Sequence, residues 1–259
     1  MMNEEPLTAH QRAIADRVLD EESSRREHVV IYLSGAHAYG FPSPDSDLDL
    51  KAIHIASTER LLGLSPPEPA ADRAEILEGV EIDYTSNELG GVLAGILAGN
   101  GNYLERVLGR TAVRSSELHE SLRPVVQANL TRRVHRHYRG FASGQQRELE
   151  KKPTVKKLLY VLRTALTGTH LLRTGTLETD LTLLLDTYDL GDARELVAAK
   201  RAGERVAADP ALLEAWRPRL DVVLRRIDEA HAESLLPEEP ARRDLAEDWL
   251  VAARRSCLK

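Results

Sequence analysis

The chain has 259 residues, of which 42 % are hydrophobic and 29 % are charged, and its formal net charge is −6. This composition argues against a disordered chain, and the single cysteine, Cys257, excludes a disulfide scaffold and a site of clustered thiolates. Because no run of about 18 apolar residues occurs and the N-terminus is polar and acidic, we expect a cytoplasmic protein that is neither secreted nor membrane-spanning.

The first half of the chain combines the patterns of strands and helices. Segment 28–35, HVVIYLSG, is rich in β-branched and aromatic residues, and 47–55, DLDLKAIHI, alternates polar and apolar residues, so both predict strands. In chain order we expect a helix over 8–25, capped by Thr8, and then these two strands with a loop over 38–46 between them. An exposed connection over 64–72 follows, and then one or two strands within 75–84. Two helices begin at 86 and 102.

The second half of the chain predicts helices alone. Pro and Gly residues separate apolar stripes of helical period, and no strand is predicted after residue 115. The change of character near residue 112 predicts a domain boundary, with domains over 1–112 and 113–259. The helices are expected over 116–149, 154–174, 180–186, 192–207, 211–235 and 239–256.

Basic residues are concentrated in the helical half. Between Thr131 and Arg173, eleven Lys and Arg residues face two Glu residues, a net of +9, so the remainder of the chain carries −15. The segment suits an anionic substrate such as an RNA or tRNA end, and the alternative is a set of solvated helical faces. With 4 % aromatic residues, the composition offers little stacking platform for extended RNA.

Two aspartates stand one residue apart at the start of the second strand. Asp47 and Asp49 therefore project from one face, with Cα atoms about 6.6–7 Å apart. Neighbouring carboxylates repel one another unless a cation neutralises them, and hard oxygen ligands select Mg²⁺ or Mn²⁺ over softer metals. We therefore expect a divalent cation here, with Mg²⁺ as the first choice.

A third acid and a phosphate-binding turn would complete such a site. Glu81 and Asp83 share a face of the next strand pattern, and we favour Asp83 because it lies nearer the C-terminal end of that strand. Gly35 and Ala36 follow the first strand, and their small size lets backbone N–H groups approach a phosphate.

Five further residues are candidates for nucleotide contacts or for packing. Lys156, Tyr160 and Arg163 share one helical face, which would hold a triphosphate and stack a base, or else would be a solvated basic face with a buried tyrosine. Tyr39 either contacts a nucleotide or belongs to the core. Ser46 either orients the aspartate pair or only shapes its turn.

These residues resemble a known superfamily. A glycine turn, about ten residues, Asp-x-Asp and a distant third acid form the pattern of polymerase-β-like nucleotidyltransferases. The string AYGFPSPDSDLDLKAIHI, residues 38–55, resembles more closely the RNA-ligase-associated predicted nucleotidyltransferases, the RlaP group. Further matches to that group include Leu97 to Asn102 and Glu105 to Leu108, and the resemblance extends over about 28–210.

The resemblance implies an α+β chain in which an N-terminal nucleotidyltransferase fold, a small mixed sheet flanked by helices, precedes a helical domain that binds substrate or nucleotide. It implies an NTP substrate, two Mg²⁺ or Mn²⁺ ions, and an RNA end as acceptor, with an RNA ligase as a partner. The implied catalytic and metal-binding residues are Asp47, Asp49 and Asp83, and the implied nucleotide-binding residues are Gly35, Ala36, His37, Tyr39, Ser46, Lys156, Tyr160 and Arg163.

Two positions depart from the group's signature. Ala36 and His37 stand where the group has Ser and Arg, so a hydroxyl contact and a permanent positive charge are lost. Three functions therefore stay open: nucleotidyl transfer to an acceptor hydroxyl, protein AMPylation, and a catalytically silent nucleotide-binding or antitoxin-like module. The sequence also leaves the oligomeric state and the base preference open.

Overall fold

A computed structural model describes residues 7–203 and 206–258. Glu204 and Arg205, within the helix predicted over 192–207, lie outside the described residues. The elements up to the end of the sheet are α1 Ala9–Ser23, β1 Glu27–Leu33, α2 Gly35–Ala38, β2 Leu48–Ile55, α3 Thr58–Leu62, β3 Ala70–Leu77, β4 Val80–Glu88, α4 Leu89–Leu97, α5 Gly101–Leu108 and β5 Ala112–Ser115.

Helices follow the sheet through the rest of the described chain. Local chemistry bounds the helix over Val155–Thr174: the Thr154 hydroxyl accepts from the Lys157 N–H at its start, and Gly175 ends it with φ +69°. These helices are α6 Glu117–Gln127, α7 Val134–Lys151, α8 Val155–Thr174, α9 Leu181–Leu184, α10 Ala193–Arg201, α11 Pro210–Ala232 and α12 Arg243–Ser256.

The strands form one mixed sheet in the order β3-β4-β2-β1-β5. The β2 and β4 strands run parallel, and the other neighbouring pairs are antiparallel. One face of β2 presents Leu48 and Leu50 to α1, while Asp49 and Lys51 project from the other face. The fold is therefore α+β, as the sequence predicted.

The hydrophobic cores cross the predicted domain boundary. Among the described residues, one cluster joins Tyr32 and Tyr39 to α8, α10 and α11, and another joins β1 and β2 to α6, α8 and α12. A third cluster, under α1, belongs to the first half alone. The division into domains 1–112 and 113–259 stays a prediction. No helix in the described ranges is both long and apolar enough to cross a membrane.

Two expectations about the elements were wrong, and one element was missed. The helix predicted over 116–149 is two helices, because the chain breaks after α6, where the buried Asn129 side chain exchanges hydrogen bonds with the backbone of Arg242 at 2.9 and 3.0 Å. The helix expected from Ser86 begins at Leu89, because β4 stays paired with β2 as far as Glu88. The short strand β5 was not predicted, and it gains its structure by pairing with β1.

Candidate active site

The turn after β1 brings Gly35 against a carboxylate of β2. The Ser34 N–H donates to the carbonyl of Asp49 at 2.8 Å, which ties the end of β1 to the start of β2. Gly35 has φ +65°, and a Cβ added there would lie 2.0 Å from Oδ2 of Asp49. The position therefore requires glycine, because a side chain would displace the carboxylate and strain the backbone.

Asp49 and Asp83 lie opposite one another, since the parallel register of β2 and β4 pairs these two residues. The ammonium group of Lys51 lies beside both carboxylates, with Nζ 2.8 Å from Oδ2 of Asp83 and 4.0 Å from Oδ1 of Asp49. Lys51 follows Asp49 by two residues and so shares its face of the strand. The register thus brings the favoured third acid to the aspartate pair.

Charges on four neighbouring residues act on Asp49. Burial raises the pKa of Asp49 to about 6, and the carboxylates of Asp83 and Asp47 add to this rise, while the ammonium groups of Lys51 and Lys156 oppose it. A lone carboxylate in this position would resist ionisation, and further positive charge would favour its charged form. The structure therefore brings Asp47, Asp49, Asp83 and Lys156 into one electrostatic environment.

The segment before Asp47 is anchored from the helical half. Ser46 is buried, and its hydroxyl oxygen accepts a hydrogen bond from the Ser43 N–H at 2.9 Å. The fully buried ammonium group of Lys200 on α10 donates to the Ser43 hydroxyl at 2.8 Å. These contacts lie within the turn, as expected if Ser46 shapes it, and an orienting role toward the aspartates and a direct contact with a nucleotide both stay predictions.

Two predicted residues of α8, Lys156 and Tyr160, lie on the side of the acids. The Lys156 ammonium lowers the pKa of Asp49 against the raising effect of burial, and it lies 6.0 Å from the centre of the Tyr160 ring. Tyr160 packs edge to face against Tyr39, with ring centres 5.6 Å apart. Both α8 residues are half-buried, so they border the acid cluster from the helical half.

Arg163, further along α8, is buried inside the protein. Its Nη1 donates to Oε1 of Glu105 at 2.7 Å, and its guanidinium carbon lies 3.6 Å from the centre of the Tyr39 ring. The hydroxyls of Tyr39 and Tyr138 also donate to Glu105, at 3.5 and 3.2 Å. Because its guanidinium is engaged by Glu105, any influence of Arg163 on a nucleotide would pass through Tyr39.

A small cavity of about 120 Å³ lies between the sheet and α5, and Lys51 connects it to the acids, which do not line it themselves. Its lining includes Ser34, Lys51, Asn102 and Arg106, so hydrogen-bond donors predominate. A much larger cleft, of about 1050 Å³, lies at the other end of β2 around His54, and the acids do not line it. We place the candidate site at Asp49 and Asp83, next to Lys51, which contacts both carboxylates and also lines the small cavity.

The oxygen donors beside this cavity fit magnesium by their chemistry. Mg²⁺ is commonly held by one or two carboxylates and completes its coordination with water and substrate phosphates. Asp49 and Asp83 supply such a pair where Lys51 already holds positive charge. Within 7–203 and 206–258, no group of three or more His, Cys, Asp or Glu side chains is arranged to hold a metal ion. The protein alone would therefore supply an incomplete set of ligands.

The structure also places the residues that depart from the group's signature and adds two that sequence reasoning missed. Ala36 and His37 follow Gly35 in α2 and are buried. Lys51 continues the two-residue alternation of Asp47 and Asp49, which was its signal in the sequence. Glu105 lies between apolar positions of α5, and a charge inside an apolar stripe was the signal for its buried ion pair.

A comparison with family models identifies the family of this chain. Residues 11–252 match the model of the RNA repair pathway DNA polymerase beta family, RlaP. Uncharacterized protein MJ0002 of Methanocaldococcus jannaschii is 30 % identical over 167 residues, which are 62 % of this chain and 68 % of that protein. A crystal structure of a nucleotidyltransferase-like protein from Exiguobacterium sibiricum 255-15 is 9 % identical and covers 93 % of this chain and 79 % of its own, but its TM-score of 0.34 is too low to support a conclusion.

Proposed function

We propose, from the premise that this chain belongs to the RNA repair pathway DNA polymerase beta family, that it transfers a nucleoside monophosphate from an NTP to a hydroxyl at an RNA end. The observation that carries this proposal is the register that sets Asp49 opposite Asp83 beside Gly35. In the reaction, the acceptor oxygen bonds to the α-phosphorus and the bond to the β-phosphate oxygen breaks, so that pyrophosphate leaves.

The turn after β1 is the proposed phosphate-binding element. At Gly35 the backbone approaches Asp49 as closely as a side-chain-free residue permits, so amide N–H groups can reach the oxygens of a phosphate. Lys156 adds positive charge from α8, and Tyr160 offers an aromatic face next to it. Tyr39 is buried behind this turn, held by Glu105 and Arg163, and therefore positions the turn from below.

Asp47, Asp49 and Asp83 are the proposed ligands of Mg²⁺ or Mn²⁺, and their side chains would have to close around the ion, because they are not gathered into a three-ligand group in the described residues. A divalent cation bound there supplies positive charge that stabilises the developing charge on the phosphates. Asp83 is the most exposed of the charged groups in contact with Lys51, with 52 % of its side chain accessible, so the acceptor hydroxyl can approach it. We assign Asp83 the proton of that hydroxyl, and Lys51 the neutralisation of the acids between turnovers.

The family description supports RNA as the acceptor, and the charge of α7 and α8 is compatible with it. Part of that charge is already neutralised inside the protein, since Arg139 binds Asp228 and Arg163 binds Glu105. The remaining exposed cations include Arg136 and Arg147. An RNA ligase as a partner remains an expectation from the resemblance to the RlaP group.

The test is label transfer from each of the four α-³²P-labelled NTPs, with Mg²⁺ or Mn²⁺ and a total RNA and protein extract. We expect nuclease-sensitive label from the wild type, and at least a hundredfold less from Asp49→Asn, since an isosteric amide cannot supply the negative charge. Asp221→Asn, which removes an exposed carboxylate from α11, is the matched control and should keep full activity.

Other outcomes would contradict the proposal in distinct ways. Protease-sensitive label would assign protein AMPylation. Nucleotide binding without label from any NTP would assign the silent module, and restoring the signature serine with Ala36→Ser would then test whether the lost hydroxyl is the cause. Equal label from wild type and Asp49→Asn would refute catalysis at these acids.

A further inference from the structure

One face of α7 carries a stacked pair of rings, of which Phe141 is exposed and His137 is half-buried. His137 and Phe141 lie one helical turn apart, with ring centres 4.7 Å apart and planes at 24°. Phe141 is 48 % exposed, although it is one of the two phenylalanines in the chain. Neighbouring residues of α7 such as Tyr138 and Ala142 are fully buried, whereas the Phe141 ring on the same helix remains in contact with solvent.

Glycines keep the ring face uncovered. Gly144 lies three residues after Phe141 and therefore on the same side of the helix. Gly140 directly precedes Phe141 in the chain and lies between Arg136 and Gly144 along the helix. A Cβ added to either glycine would meet nothing within 4 Å, so packing does not explain them. Glycine inside a helix costs about 1 kcal/mol relative to alanine. An open surface for a ligand that approaches the backbone closely accounts for both positions.

The charge next to the rings is positive. Arg136 and Arg147 are exposed on the adjoining stripe of α7, one on each side of Gly140 along the helix. The acid on this face, Glu148, is bound by Lys151 at 2.9 Å and approached by Lys157 at 3.8 Å. The face thus combines one exposed aromatic ring with cations, which is the combination that binds the bases and phosphates of single strands.

The His137 end of this face leads to the acids. A Cβ added to Gly101 would lie 2.4 Å from the His137 ring, so that ring touches the start of α5. The next residue, Asn102, lines the small cavity together with Lys51, whose ammonium contacts Asp83. The nucleotide residues proposed above, Gly35, Lys156 and Tyr160, are not part of this path.

We infer that the exposed face of α7, formed by Arg136, His137, Gly140, Phe141, Gly144 and Arg147, binds unpaired bases of a single-stranded RNA acceptor whose end lies at Asp83. This inference rests on the proposed function for the place of the RNA end, but the stacking surface itself binds without catalysis. The base stacks on Phe141, and the arginines bind the backbone on either side. The low aromatic content of the chain does not exclude RNA, because the rings it has are placed together.

The test is fluorescence anisotropy with a labelled, unstructured 12-nucleotide RNA, without NTP, in the full chain. We expect Phe141→Leu to weaken binding roughly tenfold, while Phe141→Trp keeps it, since base stacking depends on the ring. Gly144→Leu should weaken binding similarly by covering the ring, without lowering thermal stability. Gly91→Leu, at an equally open helical glycine of α4, is the matched control and should bind like the wild type.

The inference is overturned if the wild type does not bind this RNA, or if the affinity of Phe141→Leu is within twofold of the wild-type affinity. It is also overturned if Phe141→Leu weakens binding to the same RNA annealed to its complement by the same factor as binding to the single strand. Loss of NTP affinity in Phe141→Leu would assign the ring to the nucleotide instead. Binding is measured equally well in Asp49→Asn, so a protein that stacks RNA but labels nothing would refute the proposed function and leave this inference standing. RNA labelling that is indifferent to Phe141 would refute this inference alone.

Discussion

Two ion pairs of nearly equal length lie within the same region, and their surroundings differ. Lys51 and Asp83 are 2.8 Å apart, with 20 % and 52 % of their side chains exposed. Arg163 and Glu105 are 2.7 Å apart, with 7 % and 4 % exposed. Water can replace either partner of the first pair, whereas separation of the second would leave a charge in the protein interior.

The difference separates groups that can exchange partners from groups that hold the site in shape. A cation can replace the Lys51 ammonium group beside the carboxylates, and Lys51 can then bind a phosphate. The free-energy cost is small, because solvent replaces the contacts that Lys51 loses. Arg163 also touches the ring of Tyr39, and Glu105 also accepts from the Tyr39 and Tyr138 hydroxyls, so the buried pair fixes the turn that carries Gly35. The same chemistry thus serves exchange in one place and rigidity in the other.

The largest effect on stability is expected from breaking the buried pair. Arg163→Met should lower the free energy of unfolding by about 3–5 kcal/mol, because the Glu105 carboxylate is left buried without its counter-charge. Urea unfolding followed by circular dichroism measures the change. Glu105→Gln combined with Arg163→Met should recover part of the loss, since no uncompensated charge remains. If Arg163→Met lowers the free energy of unfolding by less than about 1 kcal/mol, the buried pair does not hold the site in shape.

This contrast also marks the limit of prediction from the sequence. Period-two alternation and turn residues were sufficient to predict β2, with Asp49 in the strand and Asp47 directly before it. Asp83 was favoured over Glu81 for a place near the C-terminal end of its strand, but β4 continues beyond Asp83 to Glu88. The parallel pairing of β2 with β4, which brings Asp83 to Asp49, depends on tertiary packing that local patterns do not encode. The same is true of the partner of Arg163, since Glu105 lies 58 residues away on another helix.

A third environment, where burial removes a charge altogether, provides the next test. His28 in β1 hydrogen-bonds to the Tyr84 hydroxyl at 2.7 Å, and burial, with help from the nearby Arg26, lowers the pKa of His28 from 6.5 to about 4. Between these values the unfolded chain binds a proton that the folded chain does not. Stability is therefore complete above about pH 6.5 and falls as the pH drops toward 4.

Urea titrations at pH 7 and pH 5 would measure this effect. The wild type should lose about 2 kcal/mol more than His28→Gln over that interval, which corresponds to about 1.5 pH units below the unfolded pKa. His119, whose pKa is also lowered by burial, contributes to both proteins and cancels in the difference, whereas the charge of His54 acts on His28 and is part of the effect measured. An equal loss in the two proteins would mean that His28 keeps its charge when folded.

The smallest effect on stability is expected from the half-exposed pair, and it has the opposite effect on cation binding. Lys51→Met should change the free energy of unfolding by less than about 1 kcal/mol, because solvent already shares the contact with Asp83. Removal of the ammonium group should raise the affinity for Mg²⁺ or Mn²⁺, since it leaves Asp49 and Asp83 without their internal counter-charge.

Titration calorimetry with Mn²⁺ measures the affinity, and thermal melting measures the stability. Lys152→Met, which removes an exposed ammonium group beyond α7, is the matched control and should leave the affinity unchanged. Weaker Mn²⁺ binding in Lys51→Met would mean that the lysine orients the acids rather than occupying the place of a cation. A stability loss as large as that of Arg163→Met would mean that exposure does not distinguish the two pairs, and the division into exchanging and rigid groups would then be wrong.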